Sequence, residues 1–311
     1  MTEIVVLGSL NMDLSIHVPR IPLPGETLSG GNLLTSPGGK GANQAAASAR
    51  LGRQVAMIGC VGQDDFGQRM KSNLRSMGIE VSHIKEETSV PSGTAMILVD
   101  PRGENCIVLS PGANQKVTLG PADVDLIKKA RILLLQLEIA PDIIFEAIDI
   151  AHAASVPVLL NPAPAIPLDE SIYPKIDYLV PNETEATLLT GVKVMDLPST
   201  QKAAEILLTR GVKTVIITLG AEGAFLATKK KKVHVPAFKT EVVDTTGAGD
   251  AFIGGFASGL VQGKEIGFAL QMASAAGALA SAKTGAQTSL PSCQELESFL
   301  NQKSGAQEVS S

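Results

Sequence analysis

The sequence predicts an α/β fold, with a mostly parallel central sheet, helices on both faces of that sheet and a small β-sheet lid. Two observations carry this prediction. Short apolar runs bounded by Gly or Pro alternate with longer stretches of helical period, the βαβα rhythm of a parallel sheet. Three other stretches alternate apolar and polar residues with no helix between them, which marks strands outside that rhythm.

The apolar runs place strands at 4–8, 55–59, 132–137, 156–160, 178–181 and 214–220. Helical spacing is expected near 41–51, 65–77, 142–154, 199–209, 248–262 and 266–283. The stretches that break the rhythm are 12–19, 30–36 and 93–110, the last a hairpin about Asp100-Pro-Arg-Gly103. Because they come from separate insertions, they are expected to form a lid over the pocket, while an ordinary antiparallel edge is the plainer alternative. Ligands should sit beyond the carboxyl ends of the parallel strands. One domain over 1–302 and a flexible tail over 303–311 complete the layout.

Composition narrows the function. Apolar residues make up 44% of the 311-residue chain and aromatics only 3%, so the core is aliphatic, as in buried parallel strands. A net charge of −5 argues against a nucleic-acid groove and for a small-molecule partner. The basic run Lys229 to Lys232 lies between two strand-like stretches and reads as a solvated turn. Three scattered cysteines suggest reduced thiols, and the four histidines show no ligand spacing for a transition metal. The opening residues lack a basic leader and no apolar stretch matches a bilayer, so neither signal peptide nor membrane is expected, and the location is cytoplasmic by default.

Chemistry concentrates in Val242-Val-Asp-Thr-Thr-Gly-Ala-Gly-Asp-Ala-Phe252. A helix starts near Ala248, and Gly247 and Gly249 remove side chains where its first N–H groups are free. Such a turn is an anion hole. Asp250 puts a carboxylate beside it, an unfavourable neighbour for a phosphate unless it takes a proton from an attacking hydroxyl. The plainer role is a helix-start residue favoured by the dipole. Neither the Gly-x-x-x-x-Gly-Lys-[Ser/Thr] loop nor Gly-x-Gly-x-x-Gly is present.

A second glycine-rich stretch, Ser36-Pro-Gly-Gly-Lys-Gly-Ala-Asn-Gln-Ala45, also opens a helix. Gly38 and Gly39 let backbone approach a ligand closely, and Lys40 and Asn43 add polar reach. Asn11 and Asp13 follow the first strand, where a carboxyl-end loop faces the pocket. An amide, a carboxylate, an ammonium and bare backbone suit a molecule dense in hydroxyls. Turn chemistry plus a cap would account for either stretch alone.

These motifs resemble the ribokinase family of ATP-dependent carbohydrate kinases, from Gly8-Ser-Leu-Asn-Met-Asp13 to Lys283-Thr-Gly-Ala-Gln-Thr-Ser289. The two glycine-rich stretches are similar to that family's two signatures. The resemblance implies a three-layer α/β/α fold with a β-sheet lid, often used for dimerisation. It implies that Asn11, Asp13, Gly39, Lys40, Gly41, Asn43 and Glu138 hold sugar hydroxyls. It makes Asp250 the general base and Gly247, Ala248 and Gly249 the anion hole. Asn182-Glu-Thr-Glu185 matches a motif that organises Mg²⁺ and phosphate through water. Thr218-Leu-Gly-Ala-Glu-Gly223, with Gly220, matches the ATP loop. Asp244, Thr246, Ala280, Lys283, Gly285 and Ser289 match a K⁺ loop, whose hard oxygen donors suit such a cation. Ser274 stands where relatives often carry a larger polar residue beside adenine.

The implied reaction is phosphorylation of the 5-hydroxyl of ribose by ATP. The alternatives are 2-deoxyribose, a nucleoside or a ketohexose phosphate. In lid stretch 93–110 only Arg102 is basic, which disfavours a phosphorylated sugar, and the scarcity of aromatics disfavours a nucleoside. A non-catalytic sugar sensor would not need Asp250 with both glycines, and a dinucleotide oxidoreductase lacks its fingerprint.

Overall fold

The computed structural model describes residues 2–308, with side chains described through Gln302. The chain begins with β1 (Ile4–Leu7), β2 (Asn11–His17), β3 (Leu34–Gly38), α1 (Lys40–Arg50), β4 (Val55–Gly62), α2 (Asp65–Ser76) and β5 (Ile84–Glu87). It continues through β6 (Gly93–Val99), β7 (Asn105–Ser110), α3 (Pro121–Lys129), β8 (Ile132–Leu135), α4 (Pro141–Ala153), β9 (Val158–Leu160) and β10 (Tyr178–Leu179). The last part holds α5 (Glu183–Thr190), α6 (Leu197–Thr209), β11 (Thr214–Thr218), β12 (Ala224–Thr228), β13 (Lys232–Val235), α7 (Ala248–Val261), α8 (Ile266–Ser281) and α9 (Cys293–Glu308).

The nine-stranded sheet has the order β13-β12-β11-β10-β9-β8-β1-β4-β5. All of its pairs are parallel except β11–β12 and β12–β13. The chain leaves β1 toward β4 on one side and later returns to β8 on the other. That reversal opens a crevice at the carboxyl ends of β1 and β8.

Alternation along each strand divides the core into two layers. Ile4, Val6, Ile132, Leu134 and Ile216 face one layer, and Val5, Leu7, Leu133, Leu135, Val215 and Ile217 face the other. Burying each such side chain contributes about 1.5–3 kcal/mol. In the first layer α7 is wedged between α1 and α8. A Cβ on Gly254 would lie 2.5 Å from the Ala47 Cβ, and one on Gly259 2.7 Å from the Ala269 Cβ. Larger residues there would push the helix, and with it the loop before Ala248, away from the sheet.

The second sheet, β3-β2-β6-β7, is the lid, and β2 and β6 pair in parallel because each follows a different strand of the main sheet. Its third expected strand, 30–36, is displaced to Leu34–Gly38, because register with Asn11–Ser15 begins only at Leu34. Three helices were not foreseen. α3 and α5 are short, α5 beginning in a capping box and α3 with only its Gly120 N–H held by Asp123, and α9 lacks a strong apolar period. The backbone of α9 runs past Lys303, where a flexible tail was expected, and residues 309–311 lie outside the described residues. The turn at 229–231 is exposed and joins β12 to β13. Among the described residues no helix is long and apolar enough to cross a membrane.

Candidate active site

The parallel strands deliver polar residues to one edge. Ser9 and Asn11 follow β1, Glu138 follows β8, Asn161 follows β9, Asn182 follows β10 and Thr218 ends β11. The N-termini of α1 and α7 meet over this edge and bring Lys40 and Asp250 to it. A cavity of about 200 Å³ is lined by Lys40, Asn182, Glu185, Thr218, Gly247, Gly249 and Asp250, together with Asn161 and Phe252. A second, of about 190 Å³, lies between the main sheet and the lid, lined by Asn11, Asn114, Leu137, Glu138 and the lid residue Leu109. The Lys40 N–H donates to Glu138 Oε2 at 3.1 Å, so the two cavities share a wall.

The glycine turn expected to meet an anion lies at the start of α7. Gly247 caps the helix at φ 77°, where a side chain would be strained, and a Cβ there would lie 3.0 Å from the Ala286 carbonyl oxygen. The Ala248 N–H closes a turn on the Thr245 carbonyl at 3.1 Å. The N–H groups of Gly247 and Gly249 are therefore freer to meet an anion than that of Ala248. Asp250, 8% exposed, is held at both oxygens. Asn43 Nδ2 donates to Oδ2 at 2.9 Å and Gln44 Nε2 donates to Oδ1 at 3.0 Å. Burial pushes its carboxyl up, and Lys40, Asn43 and Gln44 only partly oppose this. For Lys40 burial works downward, but Asp250, Glu138 and Glu185 outweigh it and raise the ammonium, which stays charged.

In the second cavity, Asn114 Nδ2 donates to Asn11 Oδ1 at 2.8 Å, turning the Asn11 NH₂ away from Asn114. Ser9 donates to Glu138 Oε2 at 2.5 Å. Asp13 is pushed up to about 7 by burial, then by the charges of Glu138 and Asp250. The glycines expected to admit a ligand also sit tight against other protein atoms. A Cβ on Gly38 would fall 2.2 Å from Asp13 Oδ2, on Gly39 2.7 Å from the Asn11 nitrogen, and on Gly41 2.6 Å from the Ser9 nitrogen. Their bareness lets α1 dock against the β1–β2 loop, which is what brings Lys40 next to Glu138.

At the start of α5, Asn182 and Glu185 form a capping box, with Glu185 Oε2 accepting the Asn182 N–H at 2.9 Å. Glu185 still lines the first cavity, and burial, the main influence, raises its carboxyl. Gly220 and Gly223 shape the turn after β11, where a Cβ on Gly223 would meet the Val235 carbonyl at 2.0 Å. Ser274 lies on α8, with a buried Oγ that has no partner, outside both cavities.

The residues expected to hold K⁺ lie behind the turn at Gly247. Asp244 accepts the Thr246 N–H at 2.9 Å and the Gly285 N–H at 2.8 Å. Burial pushes its carboxyl up, but these bonds outweigh it and hold it below the usual range. The Ala280 carbonyl accepts the Lys283 N–H at 3.1 Å, and Ser289 donates to the Ala286 carbonyl at 2.9 Å. The Lys283 ammonium is paired with Glu295, so only its carbonyl remains for a cation. A carboxylate among carbonyl and hydroxyl oxygens fits a hard monovalent ion.

Several residues at the site were not singled out from sequence. Gln44 bonds to Asp250 and is held in turn by Gln136 and Asn161, Asn114 orients Asn11, and Gln287 donates to Asn43 Oδ1 at 3.1 Å. Gln44 stood inside the second glycine-rich stretch and Gln136 two residues before Glu138, the only signals available.

A buried carboxylate beside a helix-end anion hole, with a polar cavity under a lid, defines a phosphotransferase acting on a small hydroxylated molecule. The pfkB family carbohydrate kinase model matches residues 1–293, and the chain belongs to that family. It is 43% identical to a ribokinase from Haemophilus influenzae over 96% of this chain and 98% of that protein. It is 39% identical to a deoxyribokinase from Salmonella typhi over 96% and 99% of the two chains. Among solved structures, Arabidopsis thaliana ribokinase complexed with ribose and ATP superposes with a TM-score of 0.91, at 33% identity, over 96% of this chain and 99% of that one.

Proposed function

We propose that this chain transfers the γ-phosphoryl group of ATP to the 5-hydroxyl of D-ribose, giving ribose 5-phosphate and ADP. The observation that carries this is the placement of Asp250 beside both Lys40 and the Gly247–Gly249 turn, in a cavity that shares a wall with the sugar cavity. Asp250 takes the proton as the hydroxyl oxygen bonds to phosphorus, and the bond from phosphorus to the ADP oxygen breaks. Charge on the transferring group is met by the Gly247 and Gly249 N–H groups and by Lys40. A donor of this kind carries about 10²–10³ in rate in comparable sites. Mg²⁺, held with ATP through waters oriented by Asn182 and Glu185, would neutralise phosphate charge. K⁺ at Asp244 and the 280–289 loop would brace the turn at Gly247 without touching substrate.

Arg102 offers no phosphate site in the lid, since its guanidinium pairs with Asp100 at 2.9 Å within the same turn. This favours an unphosphorylated sugar. The Salmonella typhi relative keeps 2-deoxyribose as the second reading. ADP release measured with ribose, 2-deoxyribose, fructose and adenosine, in K⁺ and in Na⁺ at constant ionic strength, tests both proposals. Ribose gives the highest kcat/KM, and every rate with ribose is higher in K⁺. Equal efficiency on 2-deoxyribose would remove the substrate assignment, and equal rates in both salts would remove the cation.

The kinase unit is taken as 1–302, in a cytoplasmic setting where ATP is at hand. A second copy is proposed to cover the lid. β7 is exposed along its whole length, including Ile107, Val108 and Leu109, and an uncovered apolar edge strand invites pairing. Sedimentation velocity should give a dimer, and replacing Met96 and Val108 by Lys should give a monomer. A wild-type monomer at micromolar concentration would end this part of the reading.

A further inference from the structure

Behind Asp250 lies a chain of buried amides that the reaction as described does not use. Gln44 and Gln136 are both 0% exposed. Gln136 Nε2 donates to Gln44 Oε1 at 2.6 Å. Gln44 Nε2 then donates to Asp250 Oδ1 at 3.0 Å and to Asn161 Oδ1 at 3.1 Å. Asn161 is itself anchored, its Nδ2 donating to the Val180 carbonyl at 3.0 Å, which leaves its oxygen facing Gln44.

This chain has a direction. Turned over, the Gln44 amide would set its oxygen against two acceptors, Asp250 Oδ1 and Asn161 Oδ1, and its NH₂ against the NH₂ of Gln136. We infer that Gln136, which lines neither cavity, is a positioning residue for the catalytic base: by holding the Gln44 oxygen it keeps the Gln44 NH₂ on Asp250.

A second observation supports the assignment. Gln136 Oε1 is buried with no partner, and Gly8 must be bare beside it, since a Cβ there would lie 2.0 Å from that oxygen. A buried carbonyl without a donor weakens a fold, and an apolar side chain of the same size would avoid the loss. The amide is explained by its N–H₂ alone. The charged groups acting on Asp250 are Lys40, which favours its ionised form, and Glu138, Asp13 and Glu185, which oppose it. Gln44 adds a neutral donor to the ionised form at the one oxygen that Asn43 does not hold. Losing that donor raises the carboxyl further.

The inference rests on Asp250 as the base, and its test is a double-mutant cycle in the full-length enzyme. Gln136→Met, Gln44→Met and the double variant are compared for kcat, KM for ribose, the pH dependence of kcat and thermal midpoint. Gln136→Met should lower kcat about tenfold, the factor one ordinary hydrogen bond carries in a transition state. Its acidic limb should move to higher pH, KM for ribose should stay within about twofold, and its midpoint should not fall. The double variant should match Gln44→Met alone, because Gln136 acts only through Gln44. Unchanged kcat and acidic limb in Gln136→Met, or losses that multiply in the double variant, would overturn the inference. So would failure of both Gln136→Met and Gln136→Leu to fold, since the residue would then be architectural. A wild type that releases no ADP with any sugar would instead sink the functional reading beneath it.

Discussion

Asp250→Asn lowers kcat by about 10²–10⁴ while KM for ribose and for ATP stays within a few-fold. The substitution keeps the shape and polarity of the side chain and removes its basic lone pair and its charge. One hydrogen bond survives on geometry alone, because the new amide oxygen still accepts from Asn43 or Gln44. The wild-type rate should fall as pH drops through the raised pKa of Asp250, because the protonated carboxyl cannot take the hydroxyl proton. In the variant that acidic limb should vanish. Steady-state kinetics of ADP release as a function of pH reads both effects. A variant turning over at near the wild-type rate would make Asp250 a helix-start residue and move the proton elsewhere.

Asp13→Asn should trade stability for function. The folded pKa of Asp13, about 7, lies above its ordinary value of 3.8, so the folded chain holds this proton more tightly than the unfolded one. The stability tied to it is present below the unfolded value and is lost as pH rises through about 7. At pH 8 the ligand-free enzyme therefore carries a half-buried carboxylate facing Glu138 and Asp250. Removing the charge should raise stability at pH 8 by up to roughly 4 kcal/mol, with a smaller gain at pH 5. The same change should lower kcat/KM for ribose by about 10–100-fold, the cost of a lost hydrogen bond to a charged group. Thermal melts at the two pH values, with and without ribose, check this. A variant no more stable at pH 8 than at pH 5, relative to wild type, would show that Asp13 is ionised without penalty.

These results depend on features of unequal visibility in the sequence. The turn at Gly247–Gly249 was legible because a glycine-bare helix start is local, a matter of bare backbone next to the first free N–H groups. The same holds for the aliphatic strands, whose alternation is printed residue by residue in Ile4–Leu7 and Ile132–Leu135. The lid strand at Leu34–Gly38 was misplaced by a few residues because register is set by the partner strand, not by the stretch itself. Asn182 and Glu185 were readable as a site motif, but the same residues also start α5 as a capping box, so one signal covered two roles.

The local facts, then, were set by the order of residues along the chain: which segments are strands, where helices begin, which glycines leave backbone bare and which carboxylate stands beside them. What required the tertiary structure was every relation across long separations. Gln44 meets Gln136 across 92 positions and Asp250 across 206, and Ser9 meets Glu138 across 129. The glycines at the start of α1 serve the docking of that helix on the β1–β2 loop, and those of α7 let it wedge between α1 and α8. No periodicity encodes such pairs, because a hydrogen bond or close contact between distant segments depends on sheet order and helix packing, which place the two ends together only once the whole core has formed.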